Sequence, residues 1–209
     1  MTVQARLFAL AIGVIATASV LAQGYVFIDI VARRGGGILH VIWTMLGFLT
    51  ILTNLLIALV CFALYRRRWP GWWPDQAATL GCLTVNILMV GAIYHIALSS
   101  LWDPQGLHWL SDQGLHSVVP ALFFAFWLGF APKQGLRASH ALWWLLYPAG
   151  YFVYALYRGG LDGWYPYPFI DVTQLGIGRV LVNAGVIGAV TAFTGLALIM
   201  VTQASARKP

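Results

Sequence analysis

Apolar residues run along this chain in six stretches of membrane length, separated by short polar breaks. They lie near Leu7–Val31, Leu39–Tyr65, Ala77–Leu98, Leu110–Ala131, His140–Tyr157 and Gly178–Val201. A helix needs roughly 20 such residues to cross the hydrocarbon core of a bilayer. The pattern therefore predicts an all-α integral membrane bundle of six transmembrane helices, a single domain over residues 1–209. The connections carry the punctuation expected of turns, as in Arg33-Arg34-Gly35-Gly36-Gly37, Asp103-Pro104-Gln105-Gly106 and Tyr165-Pro166-Tyr167-Pro168.

Polar positions inside the apolar stretches are few and ordered. At 100° per residue, His40, Trp43, Thr44, Gly47, Thr50 and Asn54 share a sector of about 120°. Val41, Ile42, Met45, Leu46, Leu49, Leu52 and Leu56 form the opposite, lipid-suited face. Thr53 falls on that lipid side and Thr50 on the bundle side. In the fourth stretch His108, Asp112 and His116 stand four apart, a second polar stripe. On regular helices His116 lies roughly 12 Å beyond His108, and Thr50 roughly 15 Å beyond His40. Both helices would run inward from the outer boundary, so Thr50 and His116 are expected at similar depth. The third stretch adds His95, with Gly91 and Thr84 on its face. In the last stretch Ala184, Gly188 and Ala192 make a small-residue stripe suited to close helix contact.

Composition agrees with the pattern. The chain is 60% hydrophobic and 9% charged, and all of its acids are aspartates. Its mean hydropathy of +0.79 lies outside the range of water-soluble domains. The net charge of +6 is a sidedness signal, not a nucleic-acid footprint. With six crossings, one side gathers Arg6, Arg66, Arg67, Arg68, Lys133, Arg137, Arg207 and Lys208. The other takes Asp29, Asp103, Asp112, Asp162 and Asp171, together with Arg33, Arg34, Arg158 and Arg179. The positive-inside rule then puts both termini in the cytoplasm. Trp69, Trp72 and Trp73 mark one boundary, and Trp102 and Trp164 the other. The first stretch runs past Ala22 through Gly24-Tyr25-Val26-Phe27-Ile28, long for a cleavable signal, so a retained helix is expected. Cys61 and Cys82 read as buried thiols, not a disulfide.

Polar side chains are costly in hydrocarbon, and clusters of them mark a cavity, a pathway or a reaction centre. Three chemistries fit these residues. Thr50 with His116 could form a nucleophile and its general base, with Asp112 orienting the imidazole and Asn54 or His40 donating to an oxyanion. A threonine in a membrane helix more often bonds its own backbone one turn back. His108, Asp112 and His116 are also spaced for a metal, with His40 or His95 as a further ligand. Alternatively, the stripes could line the polar cavity of a non-enzymatic lipid-binding or transport protein. A haem bundle wants facing histidine pairs on neighbouring helices: His95 and His116 offer one, but no second is evident at the inner side except His140, near a boundary. A retinal Schiff base is excluded, because Lys133 and Lys208 both lie outside the stretches.

Three segments carry a family resemblance. Phe48-Leu49-Thr50-Ile51-Leu52-Thr53-Asn54-Leu55 resembles a helix of the androgen-induced-gene family of multi-pass membrane proteins. Leu115-His116-Ser117-Val118-Val119-Pro120 is similar to that family's histidine motif, and Trp164-Tyr165-Pro166-Tyr167-Pro168-Phe169-Ile170-Asp171 to its loop before the last helix. The motifs occur in family order, and the pattern resembles the small bacterial branch more than the animal proteins. Animal members hydrolyse fatty acid esters of hydroxy fatty acids with a membrane-embedded threonine and histidine. The resemblance implies Thr50 as nucleophile and His116 as its partner, acting on a fatty acyl ester in the bacterial inner membrane. Trp164, Tyr165, Tyr167, Arg158 and Arg179 would shape the substrate mouth. The implied partners are the bilayer and a lipid ester. No cofactor, nucleic acid or protein partner is called for.

Overall fold

The computed structural model describes residues 1–33, 35–69, 71 and 73–206, with side chains through residue 203. Arg34, Trp72, Arg207 and Lys208, used above for sidedness and boundaries, lie outside the described residues. Among the described residues every regular element is helical. The chain clusters into two compact units, Met1–Pro132 and Lys133–Pro209.

In the first unit α1 (Val3–Ala32) starts where the Thr2 hydroxyl accepts from the Ala5 N–H at 3.2 Å. This satisfies one of the donors a helix start leaves open. Its buried stripe of Ala5, Ala9, Ile12, Ala16 and Val20 recurs at three- and four-residue steps, and small residues there let α3 (Leu49–Tyr65) approach closely. A Cβ placed on Gly13 would sit 3.2 Å from both Cys61 and Phe62. Asp75 caps α4 (Gln76–Ile93) by accepting from the Ala77 and Ala78 N–H groups. That helix continues through a π-turn at Tyr94–Leu98 and a 3-10 turn at Ser99–Leu101. α5 (Leu107–Gln113) passes through a second π-turn, Gly114–Val118, into α6 (Val119–Phe130). Phe123, Phe126 and Trp127 on α6 are fully buried, and Phe8 of α1 meets Phe126 edge-on at 6.1 Å.

The second apolar stretch departs from expectation. It forms two helices, α2 (Ile38–Leu46) and α3, bent by 87° at Gly47–Phe48. Phe48 is extended, and its ring stacks on Phe27 of α1 at 5.7 Å, which holds the break in place. His40, Trp43 and Thr44 therefore do not share a helical stripe with Thr50 and Asn54, and the 15 Å offset from His40 does not apply. Thr53 is also corrected: it is buried, with its hydroxyl donating to the Leu49 carbonyl at 2.8 Å, instead of facing lipid.

The second unit comprises α7 (Ser139–Trp143), α8 (Leu146–Asp162), a 3-10 turn at Pro168–Ile170 and α9 (Val172–Ala206). The fifth stretch is thus two helices separated at Trp144–Leu145. α9 is kinked at Gly176, where φ is +73°. Its expected stripe is not its closest contact: among the described residues, nothing lies within 4 Å of a Cβ built on Gly188. A Cβ on Gly195 would instead sit 3.2 Å from Ala141 and 3.3 Å from Trp144.

Among the described residues, four segments are long and apolar enough to cross a membrane: Val3–Ala32, Gln76–Leu101, Leu107–Phe130 and Val172–Gln203. The bent pair Ile38–Leu46 with Leu49–Tyr65 makes a fifth if it counts as one span. Leu7, Val14, Leu21, Val182, Val186 and Phe193 are among the large apolar side chains left exposed, as a lipid-facing surface requires. The protein is a multi-pass membrane protein of helical type.

Candidate functional site

Thr50 occupies the second position of α3, just past the bend, and is buried. Its Oγ1 lies 3.3 Å from Nε2 of His116. His116 sits in the middle of the Gly114–Val118 π-turn, a form of helix that recurs at functional sites. Two glycines let the surrounding helices reach this turn. A Cβ on Gly91 of α4 would stand 2.9 Å from the His116 carbonyl oxygen, and one on Gly114 would stand 2.1 Å from Oγ of Ser19 on α1.

The imidazole's other nitrogen settles where its proton is. Nδ1 lies 3.0 Å from the Asp112 carbonyl oxygen and 3.3 Å from Asp112 Oδ1. A carbonyl oxygen can only accept, so Nδ1 carries a hydrogen, and in the neutral ring Nε2 presents its lone pair to Thr50. In that form the Thr50 hydroxyl is the donor in this bond. Asp112 is 3% exposed, and burying a lone charge costs several kcal/mol. Its second oxygen is accordingly paired, accepting from the Tyr94 hydroxyl. The Tyr94 ring lies flat on the His116 imidazole, with centroids 4.0 Å apart and planes 13° from parallel. The Trp102 ring lies tilted beside Tyr94, with centroids 6.2 Å apart.

Asn54, one turn beyond Thr50, has both amide hydrogens engaged. Nδ2 donates to the Thr50 carbonyl at 2.8 Å and to the Leu115 carbonyl at 3.4 Å. The expected role as an oxyanion donor is therefore replaced by a brace that ties α3 to the residue before His116. Its Oδ1 is buried and has no hydrogen-bond partner among the described residues. Val20, Ile51 and Leu115 form the apolar cluster beside this brace, with Met45, Phe48 and Leu55 packed on it.

The remaining candidates stand apart from the pair. His95, in the Tyr94–Leu98 π-turn, is exposed and meets Ser117 Oγ at 3.1 Å instead of facing His116. Ser117 Oγ donates to Gln113 Oε1 at 3.0 Å. His40 is exposed on α2. His108 approaches the site through its carbonyl, which accepts from Ser111 Oγ at 2.9 Å. Among the described residues no three His, Cys, Asp or Glu side chains gather as a metal-holding group, so His108, Asp112 and His116 do not converge as a metal site would require.

The five mouth residues all fall in the second unit. Arg158 is 3% exposed and its guanidinium donates to the Tyr154 hydroxyl at 3.2 Å. Tyr165 fills the space over Gly159, Tyr167 stacks on Phe169 at 5.2 Å, and Trp164 and Arg179 are exposed.

Tyr94 is the site residue that sequence reasoning misses. Its signal was present: a phenol in a membrane-length stretch, one residue before His95 and three after Gly91. The chain matches no family model, no curated protein and no solved structure.

Proposed function

We propose that the protein is a membrane-embedded hydrolase in which Thr50 attacks a fatty acyl ester and His116 is the general base. The observation that carries this reading is the Thr50 Oγ1 to His116 Nε2 contact of 3.3 Å, with Nδ1 held by Asp112. Nucleophile, base and orienting acid stand in the order that acyl transfer needs. His116 takes the Thr50 proton as Oγ1 bonds to the ester carbonyl carbon. The imidazolium then returns that proton to the departing alkoxide, leaving an acyl-threonine and a free alcohol. Water, deprotonated by the same nitrogen, attacks the acyl carbon, and the fatty acid leaves as Thr50 regains its hydrogen.

A lipid ester is the substrate class best suited to this place in the fold. The pair lies within membrane-length apolar helices, beside the cluster of Val20, Ile51 and Leu115. The resemblance of the Thr50 and His116 segments to the androgen-induced-gene family points the same way. In this reading the chain crosses the bacterial inner membrane six times, with α2–α3 as a broken second crossing and α7–α8 as the fifth. Both termini are cytoplasmic, where the basic residues gather.

The test is labelling of purified protein in detergent with a lipid-like fluorophosphonate, comparing wild type with Thr50→Ala, Thr53→Ala and His116→Ala. Labelling is expected in wild type and Thr53→Ala, with a loss of at least about 100-fold in the other two, the scale of losing a nucleophile or its base. A folded wild type that does not label, or Thr50→Ala that labels like wild type, overturns the reading.

A further inference from the structure

The two π-turns face each other in matched register. Tyr94 of the first meets His116 of the second, and His95 of the first meets Ser117 of the second. A π-turn adds a residue to one helical turn and shifts the phase of everything after it. That phase lets adjacent residues of one helix address adjacent residues of another. Tyr94 makes two contacts through this register, one from its ring and one from its hydroxyl. The ring covers one face of the imidazole, and the hydroxyl donates to the Asp112 oxygen that His116 does not use. Tyr94 and Asp112 are each 3% exposed.

These contacts act on the same degree of freedom. An imidazole held only by one nitrogen can rotate about the Cβ–Cγ bond or exchange tautomers. Stacking fixes the ring plane. The Tyr94 hydroxyl holds the Asp112 carboxylate so that Oδ1 stays on Nδ1. Without that bond the carboxylate can turn, and Nδ1 keeps only the Asp112 carbonyl, 3.0 Å away.

We propose that Tyr94 is the positioning residue of this site, keeping His116 in the Nδ1–H tautomer with Nε2 on Thr50 by acting through both the ring plane and Asp112. Its catalytic consequence rests on the hydrolase reading above; its structural content does not. Tyr94 touches no reacting atom and acts through its neighbours.

The experiment reads the tautomer directly. Protein labelled with ¹⁵N-histidine is examined in detergent by NMR, with the His116 signals assigned by their loss in His116→Gln. Wild type is expected to show His116 as the Nδ1–H form. In Tyr94→Phe, which keeps the ring, Nε2–H signals should appear and fluorophosphonate labelling should slow about tenfold, as loss of a base's alignment costs. Tyr94→Leu, which loses ring and hydroxyl, should move further on both measures. An unchanged His116 signal in Tyr94→Phe overturns the proposal, and so does a tautomer that changes only in Tyr94→Leu. Should Tyr94→Phe fail to fold, Asp112→Asn breaks the same link from its other end and must show the same mixture. A shifted tautomer in a protein whose wild type never labels leaves the positioning role standing and removes the hydrolase reading. Labelling with an unmoved tautomer does the reverse.

Discussion

Two hydroxyl–imidazole pairs stand out in the first unit, sharing neighbouring positions of the Gly114–Val118 π-turn: Thr50 with His116, and Ser117 with His95. By distance alone the second is the better pair, at 3.1 Å against 3.3 Å. Proton placement reverses that ranking. Nδ1 of His116 points at two acceptor oxygens of Asp112, so Nε2 must be the basic nitrogen. In the other pair the Ser117 hydroxyl spends its only hydrogen on Gln113 Oε1, so His95 Nε2 must donate to Ser117. His95 cannot take a proton through a bond in which it is the donor. Thr50 is also buried at 6% exposure whereas His95 is exposed, so the surroundings of the protein reach the second pair more than the first. A nucleophile is thus identified by what stands behind its base more than by its distance from it.

The comparison breaks most sharply at Asp112, the group that one pair has and the other lacks. Asp112→Asn keeps the size of the side chain, but its amide can place either an acceptor or a donor against Nδ1. Labelling at Thr50 is expected to fall about 100-fold, equivalent to roughly 2.7 kcal/mol of transition-state stabilisation. Labelling kinetics at constant protein concentration check this. A variant that labels at the wild-type rate would show that the Asp112 carboxylate does not matter, leaving the two pairs distinguished by burial alone.

A second way to sharpen the comparison is to press on the packing that only the first pair needs. A methyl on Gly91 would meet the His116 carbonyl oxygen at 2.9 Å, so Gly91→Ala must push the π-turn away from α4. Overpacking of this kind costs about 1–3 kcal/mol. The thermal midpoint in detergent should fall, and Thr50 labelling with it. Gly188→Ala is the control, since a Cβ there meets nothing among the described residues; its effect should stay within about 0.5 kcal/mol.

Part of this site was readable from residue spacing and part was not. Asp112 and His116 are four apart within a helical stretch, and their contact follows from the helical period, π-turn included. Asn54 likewise stays one turn from Thr50. The preference for Thr50 over Thr53 rested on a stripe that began at His40, and the bend at Gly47–Phe48 cuts that stripe in two. Both threonines prove to be buried, and what separates them is the acceptor each hydroxyl reaches: His116 for one, the Leu49 carbonyl for the other. The first partner is a long-range fact that periodicity does not contain; the second is the bond one turn back that a threonine in a membrane helix commonly makes. Tyr94 escaped for a related reason. Its partners, His116 and Asp112, lie on another helix, beyond the reach of any period along its own. Asn54 escaped in role, not in place, because its second acceptor, the Leu115 carbonyl, becomes visible only when the helices are docked. The division at Trp144–Leu145 leaves no mark in an apolar count, since both halves of that stretch are hydrophobic.

The smallest expected effect carries the comparison's own test. If Ser117 is a structural hydroxyl held between Gln113 and His95, removing it should leave Thr50 untouched. Ser117→Ala and His95→Gln should each label within about threefold of wild type, a change of roughly 0.7 kcal/mol or less. The bonds they lose tie the two π-turns together at their exposed edge, where water or lipid headgroups can substitute for the missing partner. The outcome that would matter is a large loss in Ser117→Ala with labelling retained in Thr50→Ala. That result would make Ser117 the reactive hydroxyl, require its proton to leave Gln113 for His95, and exchange the roles of the two pairs.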